Sequence, residues 1–189
     1  MSRLRTFLAI ELDPEVRAQL VVLQQLLAKA APDVKWVEQE NLHLTLLFLG
    51  EVDERELLAI CRAAQGAVAE IPSFNLTIEH AGCFPNARRP RTLWVGVGTG
   101  AQEVIAVHDA LEGPLLELGC YRREERQYTP HVTLGRVKSE RPADQLGLAL
   151  QKYQAWNAGE TRVREVLIMS SQLTPKGPVY AVMGRAKLA

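Results

Sequence analysis

The sequence is short of most features that place a chain in a class at sight. It has three cysteines, Cys61, Cys83 and Cys120, odd in number and widely spaced. That supports neither a disulfide framework nor a C-x-x-C metal or redox motif, and it points to a reducing compartment, so the expected location is the cytoplasm. There is no excess of either charge: 22 Lys and Arg balance 22 Asp and Glu, which argues against an extended, non-specific nucleic-acid binder and leaves only a local basic patch open. No apolar run approaches the ~18 residues of a membrane span. The first run, Phe7 to Ile10, follows Arg3 and Arg5 but is broken by Glu11 and Asp13, too soon for a signal peptide. There is no G-x-x-x-x-G-K-[ST] and no evident lysine-nucleophile context, hence no sign of nucleotide activation. What is left is an ordinary globular composition, 47% hydrophobic and 23% charged over 189 residues, enough for one medium domain or two small lobes.

Elements can be read in order. Residues 5–12 form a short apolar segment closed by Asp13-Pro14, a capping carboxylate with proline at the first helical position, and they read as a buried strand. Val16, Leu20, Leu23 and Leu27 then keep helical spacing until Pro32. Asp53 with Glu56 resembles a helix-capping pair, and Leu57, Ile60, Ala64 and Val68 supply the stripe of a second helix. Residues 74–79 and 91–97 read as strands around a loop of turn and basic residues. Thr99 with Gln102 makes a capping box for a helix through Val104, His108, Leu111 and Leu115 that stops at Gly119. An arginine-rich exposed stretch, 121–127, precedes a strand over 128–137. A helix follows from Pro142 to about Tyr153, weakened by Gly147. The end reads as a hairpin, 163–170 with 179–188, turning around residues 174–178.

One stretch carries more. Residues 41–50, Asn-Leu-His-Leu-Thr-Leu-Leu-Phe-Leu-Gly, read as a strand with His43 and Thr45 on one face and Leu44, Leu46 and Phe48 on the other. The same His-x-Thr-aliphatic pattern returns at His131-Val132-Thr133-Leu134, 131 − 43 = 88 residues later. Arg5-Thr6 and Arg91-Thr92 open the strands that precede the two motifs, at 91 − 5 = 86, so strand, helix and motif strand recur together. We infer an α+β, bilobal fold of two pseudo-symmetric lobes, each a mostly antiparallel sheet with helices on its outer face. If they pack face to face about an approximate twofold, His43 confronts His131 across a cleft.

Paired imidazoles can divide proton transfer, one as base and one as acid, while the threonine hydroxyls hold non-bridging oxygens; phosphodiester cleavage calls for that division. Two histidines without a nearby carboxylate or cysteine cluster leave too few ligands for a metal site, and no cofactor is implied.

The two motifs resemble the paired HxTx motifs of the two-histidine phosphoesterase superfamily. With Arg5-Thr-Phe-Leu-Ala-Ile, Trp36-Val37, the whole of residues 41–50 and Pro130-His-Val-Thr-Leu-Gly-Arg136, the text is similar to the bacterial and archaeal RNA 2′,3′-cyclic phosphodiesterases, also called 2′-5′ RNA ligases. The resemblance spans nearly the whole chain. It implies metal-independent opening of a terminal 2′,3′-cyclic phosphate to a 2′-phosphate, with His43 as proton donor to the leaving 3′-oxygen, His131 as the base, Thr45 and Thr133 as phosphate-binding hydroxyls and Arg136 as a substrate contact. It also implies a reverse, ATP-independent joining to a 5′-hydroxyl. The expected partners are RNA ends bearing the cyclic phosphate, tRNA fragments among them, with no membrane and a monomeric state. Competing readings are a cyclic phosphodiesterase on a small nucleotide such as ADP-ribose 1″,2″-cyclic phosphate, favoured less by the arginine-rich loops, and a non-catalytic RNA-end binder.

Several residues have plainer readings. His108 lies in a helical stripe and reads as packed; His80 reads as surface; Phe48 alternates away from the histidine and reads as core, against a role in stacking a base. Tyr128 is open between core and base contact. Arg88, Arg89, Arg91, Arg122, Arg123 and Arg126 either line the cleft or sit in solvated loops. Arg136 poses a difficulty, because strict alternation from His131 turns it away from the site unless Gly135 relaxes the strand.

Overall fold

Among the described residues, alternating or continuous apolar runs form nine strands, and the helices between them bury one stripe each. The computed structural model describes residues 3–30, 33–123, 126–138, 144–175 and 177–189. The order is β1 (Arg3–Glu11), α1 (Pro14–Ala28), β2 (Val34–Trp36), β3 (His43–Asp53), α2 (Leu57–Val68), β4 (Phe74–Phe84), β5 (Thr92–Val97), α3 (Ala101–Glu117), β6 (His131–Val137), α4 (Asp144–Lys152), β7 (Asn157–Val163), β8 (Glu165–Thr174) and β9 (Gly177–Lys187). The expected start of the fourth helix at Pro142 and the hairpin residue Lys176 lie outside the described residues. Among the described residues, no helix is long and apolar enough to cross a membrane.

The strands form one antiparallel sheet in the order β7-β4-β5-β6-β3-β1-β8-β9, with β2 paired to β6. Its two halves mirror one another about the β3/β6 joint. They are joined edge to edge, not stacked face to face as the sequence suggested. Each half leaves its motif strand on an edge, and the two edges complete their ladders on each other. The joint is narrow, with Leu44 opposite Val132 as its register pair. Beyond it β2 takes over, placing Trp36 opposite Gly135 and Lys35 opposite Arg136.

The repeat is real, but its register differs by one residue from the sequence alignment. Ala9 pairs with Thr45 and Trp94 with Thr133, so the equivalent offset in the preceding strands is 94 − 9 = 85, not 86. A one-residue slip sends side chains to the opposite face. Thr6 is accordingly buried at 1% exposure, whereas Thr92 is half-buried, so the matched Arg-Thr pairs are not structural equivalents.

Helix placement binds the halves together. α1 follows β1 yet packs on β7 and α4 of the other half, while α3 follows β5 yet packs with α2 beside β3, and α2 covers β9. Val16, Leu20, Leu23 and Leu27 are all buried, as their spacing predicts. Asp13 sits at the start of α1 without a side-chain cap. The Asp53/Glu56 capping box forms as expected. The Thr99/Gln102 box does not: Gly100 starts α3 at φ +83°, where a Cβ would come within 2.5 Å of the Asn75 carbonyl. α3 ends as expected, with Gly119 at φ +71° just beyond it.

Candidate active site

Antiparallel pairing at Leu44 and Val132 brings the two motifs side by side. In that register His43 lies beside Thr133 and Thr45 beside His131, since 43 + 133 = 45 + 131 = 44 + 132. All four alternate away from the buried Leu44 and Val132, so they share the sheet face opposite the core. The histidines occupy a diagonal of this quartet, roughly 7–8 Å between backbones in an ideal ladder. That leaves room for a phosphate between the imidazoles.

Both rings are fixed in the same way. His43 Nδ1 donates to the Asn41 carbonyl and His131 Nδ1 to the Thr129 carbonyl, each at 2.7 Å and each two residues back. A carbonyl can only accept, so the proton of a neutral ring sits on Nδ1 and Nε2 carries the lone pair. His43 Nε2 is 2.8 Å from Thr45 Oγ1. His131 Nε2 and the Thr133 hydroxyl have no hydrogen bond within the protein among the described residues.

Aromatic rings pack each imidazole. Phe7 lies 5.0 Å from His43 at 33°, and Tyr180 meets it edge-on at 5.4 Å and 86°. Their cover lowers the His43 pKa below the usual imidazole value through desolvation, opposed by its bond to the Asn41 carbonyl. Around His131 stand Phe84, at 5.2 Å and 85°, and Trp94, at 6.3 Å.

Two β-bulges complete the face. In β3 the register passes from Ala9/Thr45 to Leu8/Leu47, skipping Leu46; in β6 it passes from Trp94/Thr133 to Leu93/Gly135, skipping Leu134. Each bulge lies three residues past its histidine and reverses the alternation beyond it. Arg136 therefore returns to the histidine face, which removes the difficulty posed by strict alternation. The cause is the bulge, not a flexible glycine: Gly135 is glycine because a Cβ would lie 2.7 Å from Val34 Cγ1 and 3.0 Å from the Lys35 carbonyl. By the same geometry Phe48 is not core. It is 53% exposed and faces the site.

A cavity of about 510 Å³ is lined by His43, Thr45, Thr133, Arg136, Phe48 and Tyr180, with walls from β2 and the β8–β9 tip. Asn41 Nδ2 donates to the Pro178 carbonyl at 3.0 Å, tying that tip to the turn that holds His43. Burial pushes the Tyr180 hydroxyl up in pKa, and the charges of Arg5 and Arg136 work against the shift. Arg136 also reaches Thr92 Oγ1 at 3.5 Å. Among the described residues no three His, Cys, Asp or Glu side chains converge as a metal would need, so the polar groups at the quartet are imidazoles and hydroxyls.

Other sequence candidates fall away from the cavity. His108 is 7% exposed and stacks at 4.0 Å on Tyr128, whose hydroxyl donates to the Thr45 carbonyl at 2.8 Å. Burial raises the Tyr128 pKa strongly, keeping it a neutral donor that ties the approach to β6 onto β3. The His80 side chain is exposed. The loop arginines do not line the cavity; Arg123 pairs with Glu112 at 3.0 Å and Arg122 borders a neighbouring cavity that shares Phe48. Phe7, Tyr180, Phe84 and Trp94 went unseen in the sequence reading. Only their register against the two histidines, available once pairing is known, could have found them.

A family model described as the 2'-5' RNA ligase superfamily matches residues 12–174. The chain is 38% identical over 181 residues to an RNA 2',3'-cyclic phosphodiesterase of Methanothermobacter thermautotrophicus, covering 96% of this chain and 97% of that protein. It is 35% identical over 180 residues to one of Thermotoga maritima, covering 95% and 93%. A crystal structure of a Thermus thermophilus protein superposes with a TM-score of 0.82 at 30% identity, covering 97% of each chain. Escherichia coli LigT complexed with 3'-AMP superposes with a TM-score of 0.76 at 27% identity, covering 100% of this chain and 99% of LigT.

Proposed function

The chain belongs to the 2'-5' RNA ligase superfamily, and from that membership and the geometry of the quartet we propose that it opens the 2′,3′-cyclic phosphate at RNA ends, tRNA fragments among them, by metal-independent hydrolysis to a 2′-phosphate. One observation carries the reading: two imidazoles on one sheet face, each with Nδ1 committed to a carbonyl two residues back, so that Nε2 is the nitrogen for chemistry, that of His43 resting on the Thr45 hydroxyl.

The phosphorus sits over the quartet. Water enters on the His131 side, where Nε2 takes its proton. The P–O3′ bond breaks on the other side, and O3′ takes a proton from His43 Nε2, with attacking and leaving oxygens roughly in line. Thr45 and Thr133 donate to the non-bridging oxygens, Arg136 adds positive charge, and the exposed Phe48 ring offers a face to the terminal base. All these groups come from one chain, so a monomer suffices. A 5′-hydroxyl in place of water gives a 2′-5′ linkage at the same centre without ATP.

The test is conversion of an oligoribonucleotide ending in 2′,3′-cyclic phosphate, in excess EDTA, followed by identification of the product. The expected product is the 2′-phosphate, and His43→Ala or His131→Ala should each lower the rate by about 10²–10⁴-fold, the usual contribution of a positioned acid or base. Unchanged activity in either variant sinks the mechanism; a 3′-phosphate product reverses the assignment of the leaving oxygen.

A further inference from the structure

Beyond the quartet the reactive face continues into a row of cations. Lys35 is opposite Arg136 in the β2/β6 ladder, and opposed residues of an antiparallel pair share a face. Lys35 therefore stands on the histidine face, and it lines the same cavity as His43 and Arg136, while its neighbour Val34 turns into the core. Two like charges directly opposite one another cost stability unless an anion lies between them. Lys35 is exposed and has no ion pair among the described residues, and Arg136 reaches the neutral Thr92 hydroxyl at 3.5 Å. Glu38 and Glu40 border the cavity, yet among the described residues neither is ion-paired to Lys35 or Arg136.

The rows along this face come in a fixed order: Phe48, then Thr45 with His131, then His43 with Thr133, then Lys35 with Arg136. On the unbulged partner strands the outer steps are two residues each, Ala9 to Phe7 and Trp94 to Thr92, about 7 Å at the ordinary rise of a strand. A nucleotide ending in a 2′,3′-cyclic phosphate has a matching order. Its base is on C1′, beside the carbon that bears O2′, and its 5′ arm is on C4′, beside the carbon that bears O3′. With O3′ leaving toward His43 and water entering from His131, the base end of the ribose points to Phe48 and the 5′ arm to the cation row.

We propose that Lys35, opposite Arg136, holds the phosphate on O5′ of the nucleotide that carries the cyclic phosphate, the link to the rest of the RNA strand, and so sets the direction in which the strand enters. The inference rests on the cyclic phosphodiesterase reading with His43 as the acid. Lys35 binds the substrate away from the reacting atoms. Holding one nucleotide by two phosphates at separate points fixes the ribose so that O3′, not O2′, faces His43. A nucleoside cyclic phosphate without a 5′-phosphate forgoes this contact, so the site favours an RNA end over a lone nucleoside.

The experiment compares kcat/KM for adenosine 2′,3′-cyclic phosphate, the same compound with a 5′-phosphate, the adenosine dinucleotide ending in the cyclic phosphate, and that dinucleotide with a neutral methylphosphonate link. The wild type should prefer the natural dinucleotide to the nucleoside and to the neutral dinucleotide by about tenfold or more, as for one hydrogen bond to a charged group. Lys35→Ala should bring this preference close to unity, and Lys35→Arg should restore it. Equal use of the two dinucleotides by the wild type overturns the inference, because the second base and not the charge then makes the contact. A preference that survives in Lys35→Ala overturns it too, as does a loss in that variant that is the same for every substrate. Preference for the 5′-phosphorylated mononucleotide over the natural dinucleotide would put a small nucleotide there in place of a strand, and overturns it as well. Absence of hydrolysis of all four by the wild type overturns the reading beneath it, and this one with it.

Discussion

At the scale of single residues, an acid whose pKa lies below neutrality is mostly unprotonated when substrate arrives, and His43 is in that position. Its ring is covered by Phe7 and Tyr180, and desolvation disfavours the imidazolium more than the Asn41 carbonyl favours it. The sign follows from the role. A general acid works protonated, so its contribution is present below its pKa and lost as pH rises through it. Because kcat/KM reports the free enzyme, its alkaline limb should fall below the ordinary imidazole value of 6.5. A bound phosphodiester is an anion, and its charge favours imidazolium, so the corresponding limb of kcat should lie at higher pH. Tyr180→Ala uncovers the ring and should move the kcat/KM limb up toward 6.5, while Tyr180→Phe keeps the ring and should leave it in place. An acidic limb at that position, lost in a His43 variant, would exchange the two histidines' roles.

At the scale of elements, the two bulges decide which side chains reach the site. Leu46 and Leu134 each insert one unpaired residue, and Phe48 and Arg136, five past their histidines, turn to the reactive face as a result. In β6 the geometry depends on β2 lying flush against Gly135. Gly135→Ala places a methyl 2.7 Å from Val34 Cγ1, so β2 must withdraw and Arg136 shifts with it. We expect a KM for the cyclic-phosphate substrate raised by about tenfold or more and a stability loss of about 1–3 kcal/mol, the usual cost of overpacking, measured by denaturant unfolding. Val34→Ala should restore part of both. The bulges also explain what the sequence could carry. His43, Thr45, His131 and Thr133 were legible because period-two alternation holds between each histidine and its threonine, and because the motif repeats. Phe48 was misplaced and Arg136 left in doubt because an inserted residue leaves no mark in a run of leucines. The slip at Arg5 and Arg91 has a related cause: identical dipeptides say nothing of which face they occupy. Tyr180 was beyond reach for another reason, since it meets His43 through β9, and no local pattern encodes a contact across 180 − 43 = 137 residues.

At the scale of the molecule, the two half-sheets meet at one β3/β6 register pair and the three that β2 adds along β6, and so narrow a seam would by itself hold little. The helices hold it instead, because each repeat sends its helix to the opposite half. α1 is the clearest case: it leaves β1 in the first half, packs on β7 and α4, and places Gln24 in the second half's ladder. Gln24 Nε2 donates to the Leu134 carbonyl at 2.9 Å, at the bulge of β6, and to the Val37 carbonyl at 2.8 Å. Neither half can lose its structure while the other keeps its core, so unfolding should be one transition. Gln24→Leu fills similar volume but leaves the Val37 carbonyl without a donor, at a cost of about 1–3 kcal/mol, less if water reaches it, while the Leu134 carbonyl keeps the Val37 N–H at 2.9 Å. The variant should lose about 1–3 kcal/mol in total. Trp94 reports on β5, Trp156 on the approach to β7 and Trp36 on β2 where it pairs with β6, all in the second half's ladder or beside it, whereas far-UV circular dichroism reports on the helices of both halves. If the crossed helices couple the halves, both signals must shift to the same lower denaturant midpoint in Gln24→Leu. A fluorescence midpoint that falls while the helical signal keeps its wild-type midpoint would mean that the halves unfold separately.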